Sequence, residues 1–352
     1  MKAAELSREV KDLGELINER DLSDGDYSNI DISGGIFIEV NFDRCNFKGA
    51  NLRQATFSNC SFKNCNFSQS ELKDCTFNNC ELEKSRFQQA NLAASNFVQS
   101  GLQDADLSAA LFDFTKFVEC RMQNSRLKDS TINVFVLVKC DLTKMDFSGS
   151  RLEGCVMIEC VFGENILTNT SIIRTFISKA DLQGYDFRGK DLTMVQFSET
   201  ELKECDFRNA NLTQAGFTKA NLVNSKFDNA TLVMANFSDA NLIGSSFSHA
   251  DLNQALFPKA KLTNTNLSSS KITMAYLAEV VAENCDFSNS DLEYSDLSHA
   301  KLSYSNFSNT NLRQVKLHEI EEENVNWSGA NRGKAQSEDK TKAKAEKWGE
   351  TT

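Results

Sequence analysis

Several things a soluble chain can carry are scarce here, and each scarcity removes a class of function. No window of the 352 residues approaches 18 consecutive apolar positions, which excludes a membrane-spanning helix of the usual length. The opening residues Met1, Lys2, Ala3, Ala4, Glu5 and Leu6 contain no apolar stretch of signal-peptide length. Conventional export is therefore not expected and a cytoplasmic location is, with signal-less export left open. Basic residues are outnumbered, 38 Lys and Arg against 49 Asp and Glu, and the net charge of −11 argues against general nucleic-acid binding. Only three histidines occur, His249, His299 and His318. None stands in an H-E-x-x-H or nucleophile-elbow setting, and no Walker or dinucleotide glycine pattern is found. With no set of convergent catalytic groups to name, the chain is expected not to be an enzyme and to bind no metal or other cofactor.

What the sequence has in abundance is one period. Stepping by five from Leu22 meets Tyr27, Ile32, Phe37, Phe42, Phe47, Leu52, Phe57 and so on to Trp327, 62 pentapeptides in all. Only Ala282 and Glu322 among these centres are not large apolar residues, and 23 of the 26 phenylalanines fall on them. The other three are Phe114, Phe135 and Phe176. Glu322 lies in the last coil, where the core is expected to loosen. Two residues before each centre sits a small residue, mostly Ala, Ser, Cys or Thr, and every one of the 11 cysteines occupies that place. The histidines all fall outside both core positions.

A step of five cannot hold one face of an α-helix, because at 100° per residue it walks around the cylinder. A chain that turns a corner every five residues keeps the centre and the small residue inward and leaves three positions to solvent. Stretches such as Ala210-Asn211-Leu212-Thr213-Gln214 and Ala240-Asn241-Leu242-Ile243-Gly244 resemble the A-(N/D)-L-x-x unit of the pentapeptide repeat proteins, over residues 22 to 331. The resemblance implies an all-β fold, a right-handed quadrilateral parallel β-helix with four units per coil. Sixty-two units then make about 15 coils, a rod of about 74 Å at roughly 4.8 Å per coil.

Four units per coil stack residues 20 apart, and the charges agree. Glu119, Lys139, Glu159, Lys179, Glu199, Lys219, Asp239, Lys259, Glu279, His299 and Glu319 alternate in sign, taking His299 as at least partly cationic. Nothing is inserted between residues 119 and 319 if this phase holds. From Leu182 to Phe257 the centres alternate strictly Leu and Phe, so two opposite sides supply rings. The single proline, Pro258, follows centre Phe257 at an outward position, where a missing donor harms a ladder least.

Stacked thiols such as Cys120, Cys140 and Cys160 have parallel Cβ vectors, which suit a disulfide poorly, and a column offers zinc a line instead of a tetrahedron. The cysteines are read as core filler, and their odd number points to a reducing compartment. Leu6, Val10, Leu13, Leu16 and Ile17 have helical spacing, so residues 1–21 are expected to form one amphipathic helix that caps the first coil. Residues 332–352 are polar, with Trp348 as the only large apolar side chain, and are expected to be disordered. Across residues 131–197 Phe135, Met145, Asn165, Tyr185 and Lys190 replace the small residue, which predicts a bent or widened stretch or a shaped contact site.

Surface recognition is the function left, so outward positions that are not polar carry the information. Val98, Val118, Val134, Val136, Val138, Val156, Ile158 and Phe176 cluster on the side bearing centres Phe97, Phe117, Leu137, Met157 and Ile177. They are the candidate contact patch of a rigid scaffold that binds another protein or itself, as a homodimer; a seat for the N-terminal helix is the alternative use. The resemblance also implies two other roles, a DNA mimic that protects gyrase and an accessory or exported component of a bacterial secretion system. Against the mimic, the expected rod carries one net charge per roughly 7 Å, about fourfold sparser than DNA. The gyrase-protecting members of the family also dimerise through an apolar C-terminal helix, whereas this end is Lys-rich. Met194, Met234 and Met274 form a weaker column, interrupted by polar coils.

Overall fold

A computed structural model of the chain describes residues 2–336 except 165 and 168, together with residues 339, 343 and 346. Two compact units are present, the first ending at Ala180 and the second starting at Asp181, and both are built on one rule. In the first, nine three-residue strands stack in parallel along one side: Leu16–Asn18, Ile36–Ile38, Thr56–Ser58, Thr76–Asn78, Asn96–Val98, Lys116–Val118, Val136–Val138, Val156–Ile158 and Phe176–Ser178. Each pairs with the next at an offset of 20 residues. The other three sides stack by single bridges at the same offset, as in Asp21 with Asn41, Asp26 with Asn46 and Asp31 with Asn51. In the second unit the rule runs from Asp181 paired with Glu201 to Lys316 paired with Gln336. The architecture is the expected quadrilateral parallel β-helix.

Each corner is made by a local device. On the bridged sides the N–H three residues after a centre donates to the carbonyl of that centre, as Cys45 does to Phe42 at 3.1 Å and Ala50 to Phe47 at 3.0 Å. The residue between, two after the centre, has a positive φ, for example 60° at Arg44 and 61° at Gln54. A turn of this kind requires that region, where Gly, Asn and Asp are tolerated best. The small residue does more than fill space: Cys45 Sγ donates to the Leu22 carbonyl at 3.1 Å, Cys75 Sγ to Leu52 at 2.8 Å and Ser85 Oγ to Phe62 at 2.6 Å. Leu52 and Phe62 also accept the turn N–H of Ala55 and Cys65, so the thiol or hydroxyl fills the second acceptor site of the carbonyl and is itself satisfied inside the core. Where Asn or Asp stands before a centre, it links coils outside the core. Asn46 accepts the Lys48 N–H at 3.2 Å, donates to Asp26 Oδ1 at 2.9 Å and accepts from Asn66 Nδ2 at 3.1 Å.

Inside, the centres from Leu22 to Leu317 are buried and the rings stack on their successors. Phe77, Phe97 and Phe117 lie 4.7 and 4.6 Å apart at 3° and 5°. In the second unit Phe207 and Phe227 are stacked at 4.8 Å and Phe217 and Phe237 at 4.9 Å, while Phe207 meets Phe217 edge-on at 80°. The strict Leu–Phe alternation produces this: opposite sides supply the stacks, which meet edge to face, an arrangement favoured by the ring quadrupole.

The ends differ from expectation. The helix, α1, spans Ala3–Lys11 only, and Leu6 and Val10 face inward. Gly14, at φ 63°, breaks it, and Ile17 is buried as the centre of the first strand, so the repeat starts one unit earlier than Leu22. Leu13 and Leu16, assigned to the helix face by spacing, are exposed. α1 sits on the first coil: Ser7 Oγ donates to the Asp31 carbonyl at 2.7 Å, Lys11 Nζ to Ser33 Oγ at 2.7 Å, and Arg20 pairs with Glu9 at 2.5 Å. At the other end residues 332–336 are ordered, against expectation. Arg332–Lys334 form a 3-10 turn, Gln336 pairs with Lys316, and the Arg332 guanidinium lies 4.6 Å over Trp327. Glu322 is exposed and accepts the Trp327 indole N–H at 3.0 Å in place of a core contact. Trp348 lies outside the described residues.

The irregular stretch is a change of cross-section. Strands Thr131–Asn133, Arg151–Glu153 and Ser171–Ile173 form a second parallel sheet on the neighbouring side, so two adjacent sides are extended there. Phe135 fills the wider corner, edge-on to Phe112 and Phe117 at 5.5 and 5.4 Å. Met145 and Tyr185 are buried and Lys190 half-buried, while Asn165 lies outside the described residues.

Candidate interaction face

Strand pairing places the eight candidate residues with little ambiguity. Val98, Val118, Val138 and Ile158 follow one another in a column just after the centres, and Val136, Val156 and Phe176 form a second column just before them. All seven point outward from a flat parallel ladder and are half-buried by their neighbours. Val134 stands apart on the corner before Val136, at φ 53°, where a β-branched side chain is strained. Over four coil spacings the tile is about 19 Å tall. α1 is at the first coil and does not cover it, so the helix-seat alternative falls.

Two flanks frame the tile. Beyond the Val98 column stand Glu119, Lys139, Glu159 and Lys179, all exposed; Glu159 is within 4.0 Å of Lys139 and 3.6 Å of Lys179, and Glu119 accepts from Gln99 at 2.9 Å. The expected charge ladder is therefore realised here, and again in Lys259 with Glu279 at 3.9 Å; His299 lies 3.8 Å from Glu319. On the opposite flank the corner column reads Phe114, Val134, Gly154 and Arg174. Phe114, 58% exposed, is an apolar member that sequence reasoning missed. Its signal was present: it is one of three phenylalanines off the centres, at a corner position. Arg174 is paired with Glu153.

The histidines lie off the core positions, and two of them come together. His318 is buried, and it meets His299 edge-on, with ring centroids 5.3 Å apart. Glu346 joins them, with carboxylate oxygens 3.1 Å from His318 Nε2 and 3.6 Å from His299 Nε2. These three could be taken for metal ligands. However, His318 Nδ1 accepts the Asp339 N–H at 3.2 Å, which in the neutral ring puts the proton on Nε2, facing Glu346. A ring so held offers Nε2 as a donor and not as a ligand. Sequence reasoning missed the cluster because Glu346 is 28 residues from His318.

All 11 cysteines are free and buried. Burial pushes the thiols of Cys75, Cys205 and Cys285 up to about 12. Such thiols are neutral and poor nucleophiles at ordinary pH. A shallow polar cleft lies by Cys60 and Cys80, lined also by Asn59, Glu81, Gln99 and Arg121.

The model of the pentapeptide repeat region matches residues 18–87, 70–138 and 210–287, and that of eight-copy pentapeptide repeats matches 146–184 and 283–318. The chain belongs to the pentapeptide repeat family. Among solved structures this pentapeptide repeat protein is similar to HetL of the cyanobacterium Nostoc sp. strain PCC 7120, described as involved in heterocyst differentiation regulation. The identity is 23% over 63% of this chain and 91% of HetL, with a TM-score of 0.46. It is also similar to trypsin-treated QnrB1, a plasmid-mediated fluoroquinolone resistance protein, at 20% identity over 52% of this chain and 89% of that one, with a TM-score of 0.45. No curated protein matches it. Among the described residues no helix is long and apolar enough to cross a membrane.

Proposed function

We propose that this pentapeptide repeat protein is a non-enzymatic scaffold that holds a protein partner on the strand face around Val138. The observation that supports the reading is the uninterrupted outward column Val98–Val118–Val138–Ile158, beside Val136, Val156 and Phe176. A sheet face in water gains nothing from these residues, whereas burying them against a partner returns about 25 cal/mol per Å² of apolar area. The same column elsewhere is mostly polar, as in Ser58, Asn78, Ser198 and Thr218, with Ile38, Pro258 and Ala278 as exceptions and with Leu256 and Tyr276 as exceptions before the centres. Buried free thiols favour a reducing compartment for this work.

The test is a photo-crosslinking amino acid at position 138, with position 218 as control, in the cell that makes the protein. A specific adduct at 138, lost on adding Ile158→Glu, is the expected result. Equal labelling at both positions would remove the reading.

A further inference from the structure

We infer that the partner on this face is a second copy of the chain, paired antiparallel about a two-fold axis that runs along the strands midway between the coils of Val138 and Ile158. The inference rests on the scaffold reading and adds to it the occupant and its geometry.

An isologous contact requires a surface that is its own complement. Face-to-face packing of two sheets about an axis parallel to the strands keeps each column opposite itself and reverses the order of coils. In the column after the centres Val138 then meets Ile158 of the second copy, and in the column before them Val136 meets Val156. The charged flank decides the register. Reversal about that midpoint sets Lys139 against Glu159 and Glu119 against Lys179, so that every cross-copy charge pair is opposite in sign. Moving the axis by one coil spacing keeps opposite signs facing, but moving it by half a spacing sets like charges together. The far flank then selects among the permitted positions. At the chosen one, Val134 faces Gly154, which leaves room for it, and exposed Phe114 faces the Arg174 guanidinium, a favourable cation–aromatic pairing. Charge ladder and corner column therefore agree on one operator, with Val138–Ile158 and Val136–Val156 at its centre and with Val118 and Phe176 at its margin facing Ser178 and Lys116.

The tile is small beside the interfaces of permanent dimers, so association is expected to be concentration-dependent. Sedimentation velocity over a range of protein concentrations tests it with three proteins: wild type, an all-basic variant (Glu119→Lys, Glu159→Lys) and an all-acidic variant (Lys139→Glu, Lys179→Glu). Wild type should pass from monomer to dimer, each variant alone should associate at least about tenfold more weakly, and an equimolar mixture should recover the dimer. The substituted side chains are exposed, and a thermal melt of each variant verifies that folding is intact. A wild type that stays monomeric at hundreds of micromolar would overturn the inference while leaving the scaffold reading to its crosslink at position 138. A dimer whose charge variants associate as well as wild type would overturn the antiparallel geometry.

Discussion

At the residue scale the fold depends on two small positions that simple burial does not describe. The corner residue must adopt positive φ, and here the position is filled mostly by Asn, Asp, Gln, Lys and Glu. Val134 is the β-branched exception at φ 53°, a conformation that costs of order 1–3 kcal/mol. Replacing Val134 by Asn, which tolerates the region, should stabilise the protein by about 1 kcal/mol, seen as a raised melting temperature. The inward small residue carries the second requirement. Its thiol or hydroxyl donates to a buried carbonyl, so Ser85→Ala should cost about 1 kcal/mol by losing the bond to Phe62. For the cysteines a pH dependence follows. Cys75, Cys205 and Cys285 are raised from 9.0 to about 12 by burial, so between those values the unfolded chain ionises and the folded one does not. Their contribution is fully present below pH 9 and is lost as pH rises towards 12. Replacing all three by Ala should flatten the alkaline limb of a melting-temperature profile.

At the scale of elements, the spacing of five led directly to the sides, the 20-residue register and the ring stacks, because a repeated sequence states one local solution many times. Leu16 and Ile17 show where that legibility stops. Both fit a helix face with Leu6 and Val10, while Ile17 also fits the pentapeptide step from Leu22 and Leu16 is then the outward residue before it; the helix ends at Lys11 and Gly14 takes a positive φ, so the second pattern is the one realised. Residues 332–336 were misread for a related reason: polar composition says little about a short segment that needs only a ladder edge to pair with. Phe114 was legible only as a phenylalanine off the centres, its exposure depending on corner geometry, and the His318–Glu346 contact was illegible because it depends on a distant segment. The cap itself yields a clear test. Leu6, fully buried under α1, should on change to Asp cost about 2–3 kcal/mol, and amide exchange should quicken first in strands Leu16–Asn18 and Ile36–Ile38. Exchange that quickens uniformly along the chain would mean that α1 is not a local cap.

At the scale of the whole molecule, net charge and charge pattern point in different directions, and the pattern is the better guide to partners. A net charge of −11 invites comparison with a duplex, the gyrase-protecting role that the family resemblance implies. A phosphate backbone, however, repeats one sign at short intervals, and a protein that binds it does so with matching rows of Lys and Arg. Here the exposed columns alternate: Glu159 lies between Lys139 and Lys179, Lys259 is beside Glu279, and Arg313 and Lys316 are paired with Glu293 and Asp296. A basic groove built for DNA would meet a repulsive charge at every second coil, which removes most of the long-range attraction. The protein should therefore leave the supercoiling activity of a type II topoisomerase unchanged at several-fold molar excess. The variant with Lys139→Glu and Lys179→Glu, which makes the column acidic from Glu119 to Glu199, should not create inhibition either, since Lys219, Lys259 and the neighbouring columns keep their cations. Inhibition by the wild type, relieved by raising salt, would show that this surface does present itself as a duplex and would displace the scaffold reading.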